Sequence, residues 1–195
     1  PLHYGEPGEE LACAKQGAVL MDLADMALLE IRGERAAAFL QEVTTGDVLA
    51  LEPGGATPTF LLNGAGELLA EGQILRLQGN NGGEDRYILA ANAREPGELK
   101  AWLRDLSDGY IIFDREDIYR KVQGPVVVED LGAKHTALGL YGPKASAILA
   151  ELGLAGKEIE VLRAETNGFM LITKPEEIPQ LWESLLEKGK RHGLR

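Results

Sequence analysis

LEIRGERAAAFLQEV (residues 29–43) and LGLYGPKASAILAEL (residues 138–152) are the two stretches on which the fold turns. At one constant offset they share Leu29/Leu138, Gly33/Gly142, Ala36/Ala145, Ala38/Ala147, Leu40/Leu149 and Glu42/Glu151; Arg35/Lys144 and Phe39/Ile148 are similar in kind. Each begins as a short apolar strand, meets a glycine suited to a tight turn, and continues into an Ala- and Leu-rich helix. In the first helix Ala36, Phe39, Leu40 and Val43 share one face. Two readings fit. Any two strand–helix units share apolar periodicity, or the two are halves of a pseudo-symmetric layer with both helices on one face of an antiparallel sheet. The second reading joins residues 1–45 with 132–195 in one discontinuous lobe and makes residues 46–131 an inserted, strand-rich lobe. The expected class is α+β: two interleaved lobes of antiparallel sheet covered by helices.

Between the two stretches the pattern is that of strands. Thr59–Leu62, Leu68–Leu77 and Arg86–Ala91 are short apolar runs, and Asn63-Gly64-Ala65-Gly66 is a strong hairpin signal. A second turn is expected over residues 78–85. Pro96 opens a helix to about Leu106, where its fixed φ suits the first turn. Tyr110–Phe113 reads as a strand, and Gly124-Pro125 interrupts any single element over 118–128. On the flanks, residues 8–16 and Ile178–Lys190 read as helices, the latter with Leu181, Trp182 and Leu185 on its apolar face, and Glu158–Leu162 and Phe169–Thr173 as strands.

The bulk numbers narrow the function. The chain has 195 residues, 45% hydrophobic and 26% charged, which is the ordinary globular range. A net charge of −11 repels phosphates and argues against nucleic acid as a partner. The basic tail KGKRHGLR (188–195) reads as a helix C-terminus, where cations suit the macrodipole. The lone Cys13 cannot form an internal disulfide, which fits a cytoplasmic location, and it reads as a small buried hydrophobe. No apolar run reaches the length of a membrane span, so no membrane association is expected. The chain starts at Pro1 rather than Met and reads as a fragment or a processed chain.

Residue chemistry alone stops short of an activity. His3, His135 and His192 are far apart in sequence, with no CxxC or HExxH, so no metal site is expected. There is no GxSxG elbow, no P-loop and no GxGxxG leading from a strand into a helix.

The order of motifs goes further. LHYGEP with GAVLMDLADM (17–26), LEIRGERAAAFLQEVTTGDV (29–48), GGATPTFLLNGAGELLAEGQILRL (54–77), YILAANAREPGELKAWL (87–103), LGLYGPKASAIL (138–149) and NGFMLI (167–172) stand in sequence. Together they resemble, in register over nearly the whole chain, the folate-binding region of the glycine-cleavage T protein (aminomethyltransferase) family. The resemblance implies tetrahydrofolate as ligand and one-carbon transfer as chemistry, with the family's C-terminal β-barrel domain beginning after about Arg195. In that family an Asp-Asp hairpin steers one-carbon chemistry, a Glu in a Gly-Phe-Glu strand grips the pterin, and an Asn of Val-Asn-Ala contacts it. Carried over, Asn92 matches the pterin Asn and Met26 a channel Met. The Asp-Asp pair falls on Ala70-Glu71, leaving Glu71 as the candidate catalytic carboxylate. The pterin Glu falls on Met170, a channel Tyr on Pro58, and the Arg-Thr-Gly-Tyr-Thr-Gly-Glu motif is reduced to RAETN (163–167). Losing a buried carboxylate contact costs about 2–5 kcal/mol, so the resemblance leaves catalysis open. It implies either an aminomethyltransferase or a noncatalytic relative. The noncatalytic options are a folate-binding accessory protein of the iron–sulfur-cluster repair type, or an interaction subunit that has lost folate, comparable to the small subunit of sarcosine oxidases. A lipoyl-carrier or an iron–sulfur protein is the implied macromolecular partner.

Overall fold

The computed structural model describes residues 7–77, 85–93, 96–108, 126–154, 159–164 and 167–194. Its elements run α1 (Pro7–Gln16), β1 (Val19–Asp22), β2 (Ala27–Arg32), α2 (Ala36–Val43), β3 (Ala56–Leu62), β4 (Leu68–Arg76), β5 (Arg86–Ala93), α3 (Pro96–Ser107), β6 (Val127–Asp130), β7 (Thr136–Tyr141), α4 (Ala145–Leu152), β8 (Glu160–Ala164), β9 (Gly168–Thr173) and α5 (Ile178–Gly189). The expected strand at Tyr110–Phe113, the break at Gly124-Pro125 and most of the turn at 78–85 lie outside the described residues.

The repeat found in the sequence is a repeat in the backbone. Gly33 and Gly142 adopt φ of 116° and 125°, a region closed to residues with a Cβ. After each, the same hydrogen bonds open the helix. Ala36 N–H donates to Gly33 C=O (3.0 Å) and Ala145 N–H to Gly142 C=O (3.1 Å). Phe39 N–H then donates to Arg35 C=O, and Ile148 N–H to Lys144 C=O.

The two units nevertheless lie in different sheets, which differs from the single shared sheet expected above. β2 belongs to a five-stranded antiparallel sheet of order β3-β4-β5-β2-β6, and β7 to a four-stranded one of order β1-β7-β9-β8. The reason is edge satisfaction: β5 and β6 occupy both edges of β2, and β9 and β1 both edges of β7. In each sheet the repeated strand holds the equivalent place, in a split β-α-β order. The chain accordingly divides into two compact units, residues 1–25 with 134–195 and residues 26–133. The expected boundaries near 45 and 132 therefore differ at the first junction, because β2 and α2 go with the strand-rich segment.

In the unit of residues 26–133, α2 and α3 cover one face of the sheet. The core there joins Phe39, Leu40, Leu99 and Leu103 to Leu29, Ile31, Ile74 and Leu89. Arg76 fastens the far end of β4. Its Nη1 donates to Leu51 C=O (2.7 Å), its Nη2 to both carboxylate oxygens of Asp85, and its guanidinium lies 5.9 Å from the Tyr87 ring. Gly72 lets β4 approach β5 closely, since a Cβ there would stand 2.2 Å from the Ala90 carbonyl oxygen and 2.6 Å from Ala91 Cα.

In the other unit, α4 and α5 cover one face through Ile148, Leu181 and Leu185 against Leu138, Leu140 and Leu171. On the opposite face the Tyr141 ring lies across Gly139 and Gly168, where a Cβ would meet it at 2.3 and 2.1 Å. Beyond α5 the basic tail makes a turn of 3₁₀-helix and Leu194 forms a parallel bridge to Ala18. His192 Nε2 lies 2.9 Å from Glu151 Oε1, with Arg191 3.5 Å from the other oxygen, so the tail is tied to α4.

Two predictions follow from these contacts. Gly72→Ala forces β4 and β5 apart and is expected to lower stability by about 1–3 kcal/mol. Gly64→Ala, with nothing within 4 Å of its added Cβ, is expected to change stability by less than about 0.5 kcal/mol; urea unfolding of both checks the contrast. The hydrogen bond with His192, and secondarily the charge of Arg191, hold the Glu151 carboxyl below its ordinary 4.5. A depressed carboxyl stabilises the fold above its unfolded pKa and loses that contribution as pH falls through the folded value. The tail amides of His192 and Leu194 should therefore lose order as pH falls below the ordinary carboxylate range, as read by ¹⁵N NMR, and Glu151→Gln should remove that pH dependence.

Candidate functional site

Strand alternation gives the 26–133 sheet a second face, away from α2 and α3. On β4 the alternation puts Ala70, Gly72 and Ile74 toward the helices and Glu71, Gln73 and Leu75 on the second face, since Ala70 and Ile74 belong to the helix-covered core. Register then builds a row. Phe60 of β3 is the partner of Glu71, and Glu71 is the partner of Asn92 on β5. Ala27, the first residue of β2, pairs with Ala91. Of the four residues singled out in the sequence, Glu71 and Asn92 are thus cross-strand partners at one end of one sheet, and Met26 directly precedes β2 at that end. Glu71 and Asn92 are exposed and Met26 is half-buried.

The fourth, Met170, belongs to the other unit. It is fully buried in β9 between its register partners Gly139 and Leu162. Ala70 is 2% exposed and faces the core under α2 and α3, where it packs. Pro58 is exposed on edge strand β3, a setting where proline's missing N–H is tolerated.

Three carboxylates, Glu30, Glu71 and Glu129, occupy the second face, Glu129 as the register partner of Glu30 and 3.8 Å from Arg32, and their surroundings separate their roles. Glu30 is buried and accepts a hydrogen bond from Arg86 Nε, so its charge is compensated inside the fold. Glu71 has no hydrogen bond or ion pair to another described side chain, and neither does Asn92. One ionised carboxylate, which accepts only, and one amide, which donates and accepts, are therefore free to meet a ligand. Apolar surface stands next to them: Phe60 is 48% exposed and Leu68 57%, with Leu62, its register partner, beside it. A bulge between Leu61 and Leu62 ends the regular pairing here and leaves Leu69 outside it. The arrangement suits a flat, partly apolar heterocycle with polar edges. Sequence reading passed over Phe60 and Gln73; the two-residue alternation of TPTFLL and LLAEGQILR was the signal that would have placed both on this face.

Among the described residues no group of three or more His, Cys, Asp or Glu could hold a metal ion, and no helix is long and apolar enough to cross a membrane.

The model of the GCVT N-terminal domain matches residues 6–167. The chain belongs to the GCVT N-terminal domain family. Aminomethyltransferases of Bacillus mycoides (strain KBAB4) and Anoxybacillus flavithermus (strain DSM 21510 / WK1) are 28% and 29% identical to it over 215 and 200 aligned residues. Both alignments take in all of this chain, which spans about half, 53%, of each relative. Among solved structures, the glycine cleavage system aminomethyltransferase T from Bartonella henselae superposes with a TM-score of 0.67 at 25% identity, covering 96% of this chain and 49% of that one. A chain of the heterotetrameric sarcosine oxidase from Corynebacterium sp. U-96 shares the fold, with a TM-score of 0.54 at 18% identity, covering 99% and 97%. The α+β class, two antiparallel sheets covered by helices, is that of the Bartonella protein. Within this family the row described above falls in the segment that the domain model matches.

Because Glu71 and Asn92 are exposed and make no side-chain contacts that hold the fold, Glu71→Gln and Asn92→Ala are each expected to shift unfolding free energy by no more than about 0.5 kcal/mol. Chemical denaturation of the two variants beside the unmodified chain measures this.

Proposed function

We propose that this GCVT-family chain binds tetrahydrofolate on the second face of its five-stranded sheet and takes part in one-carbon transfer. The observation that carries the reading is the register pair Asn92–Glu71 across β5 and β4, both unpartnered, with Met26 immediately before β2. Asn92 hydrogen-bonds the pterin and Met26 packs on it; Met170, which aligns with the family's pterin carboxylate, is buried within the other unit and offers no acceptor. Glu71 is the carboxylate near the reacting nitrogens. It is one methylene longer than an aspartate, so it reaches further from the sheet. Tetrahydrofolate, when bound, supplies the nitrogen that accepts the one-carbon unit; the donor would come from a lipoyl-carrier protein.

A second reading, a noncatalytic folate-binding accessory protein of the iron–sulfur-cluster repair type or an interaction subunit that has lost folate, is favoured by two residues. Ala70 and Met170 are apolar, buried and 2% and 0% exposed, so neither can replace the carboxylates that they align with. The chain's span of about half its aminomethyltransferase relatives bears equally on both readings.

Calorimetric titration with 5-formyl-tetrahydrofolate separates them. Micromolar binding, weakened about tenfold or more by Asn92→Ala, supports the folate site, one hydrogen bond to a partner group being worth about 1.5 kcal/mol. No heat at millimolar ligand would overturn it. If binding is present, aminomethyl transfer that disappears in Glu71→Gln supports the transferase reading, and absence of transfer in the unmodified chain supports the accessory one.

A further inference from the structure

We infer that Gln73 is a ligand-recognition residue of the same face, its carboxamide pairing with a donor–acceptor edge of the bound heterocycle. This rests on the folate reading above and adds to it a specificity-determining group. Gln73 follows Glu71 by two residues on β4 and so points from the same face, about 7 Å along the strand at 3.3–3.4 Å per residue. Its register partners are Pro58 and Ala90, whose side chains have no hydrogen-bonding group. The half-buried carboxamide makes no hydrogen bond within the protein.

In the same unit, Gln41 shows what a structural glutamine does: its side-chain oxygen accepts from Val48 N–H (2.8 Å) and Leu49 N–H (3.0 Å). The Gln73 amide atoms, by contrast, are not enclosed and stand open on this face. Gln73 has no such structural duty, so its donor and its acceptor remain for something outside the protein.

The chemistry narrows the partner. A carboxamide donates and accepts side by side, as when Gln pairs bidentately with the edge of adenine. A pterin presents a comparable edge, with ring N–H, carbonyl and exocyclic amine together. Glu71 in its ionised form only accepts. Glu71, Gln73 and Asn92 together therefore offer acceptors and donors on one face, and Gln73 adds a neutral group that discriminates a lactam edge from a simple carboxylate ligand.

The test uses the full chain and 5-formyl-tetrahydrofolate as the probe. Calorimetry compares the unmodified chain with Gln73→Leu and Asn92→Ala, and thermal melting is recorded for each. A ¹⁵N spectrum follows the Gln73 side-chain NH₂ pair, assigned as the pair missing from the Gln73→Leu spectrum. Gln73→Leu is expected to raise Kd about tenfold or more with the melting temperature unchanged, and the NH₂ pair is expected to move on saturation. Should Gln73→Leu also melt earlier, the NH₂ pair of the unmodified chain decides alone. Binding that Asn92→Ala weakens and Gln73→Leu leaves intact, with an NH₂ pair that stays in place, would overturn the inference and keep the folate reading. No binding by the unmodified chain would overturn both.

Discussion

Everything else in this molecule depends on two glycines held at positive φ. Gly33 and Gly142 let a buried strand end and a helix begin within four residues, so the helix folds back over the sheet that its own strand belongs to. A Cβ at Gly142 would stand 2.6 Å from the Gly17 carbonyl oxygen, so space as well as φ requires glycine there. The neighbouring Lys144 N–H donates to that same carbonyl. From these two turns follow the position of α2 and α4, the choice of which sheet face becomes core, and hence which face is left to carry polar side chains.

That sorting is what makes the candidate site. Along β4 the core takes Ala70, Gly72 and Ile74, and the remaining positions, Glu71 and Gln73, go to the other face whatever their chemistry. A slip of one residue would bury Glu71 and expose Ile74. Gly72, in close contact with the β5 backbone, and Arg76, tied to Leu51 and Asp85, both hold β4 in its register. Residues with no ligand contact thereby govern where the free carboxylate points.

Much of this was legible in the chain itself. The repeat at 29–43 and 138–152 marks both strand–glycine–helix units, because a glycine turn and an alanine-rich face leave little else for the backbone to do; the helices begin at Ala36 and Ala145, two residues later than the pattern from Glu34 and Pro143 suggests. The Asn-Gly hairpin between β3 and β4 was likewise local, with the Asn63 carboxamide oxygen accepting from Ala65 and Glu67 N–H. What the sequence hid was partnership. Strand pairing is set by which edges are free after folding, and nothing in LEIR or LGLY says that one will lie between β5 and β6 and the other between β9 and β1. The site shows the same division. Motif order pointed to Met26, Glu71 and Asn92, but the pairing of Glu71 with Asn92 is a property of cross-strand register, and Gln73 carries no motif at all.

The pairing of β1 with β7 has a consequence for how the chain is made. Asp22 and Leu138 are register partners across more than a hundred intervening residues, whereas every strand of the other sheet falls within 26–133. During synthesis, β2 to β6 are all available before β7 emerges. The intervening unit can therefore become compact while β1 still waits without a neighbour. Its compaction shortens the effective loop that β1 and β7 must close, replacing a long flexible tether with a folded body whose ends are fixed. The order of assembly is thus written into the topology: the sheet bearing the candidate site comes first, and the sheet built from the two ends of the chain is completed last.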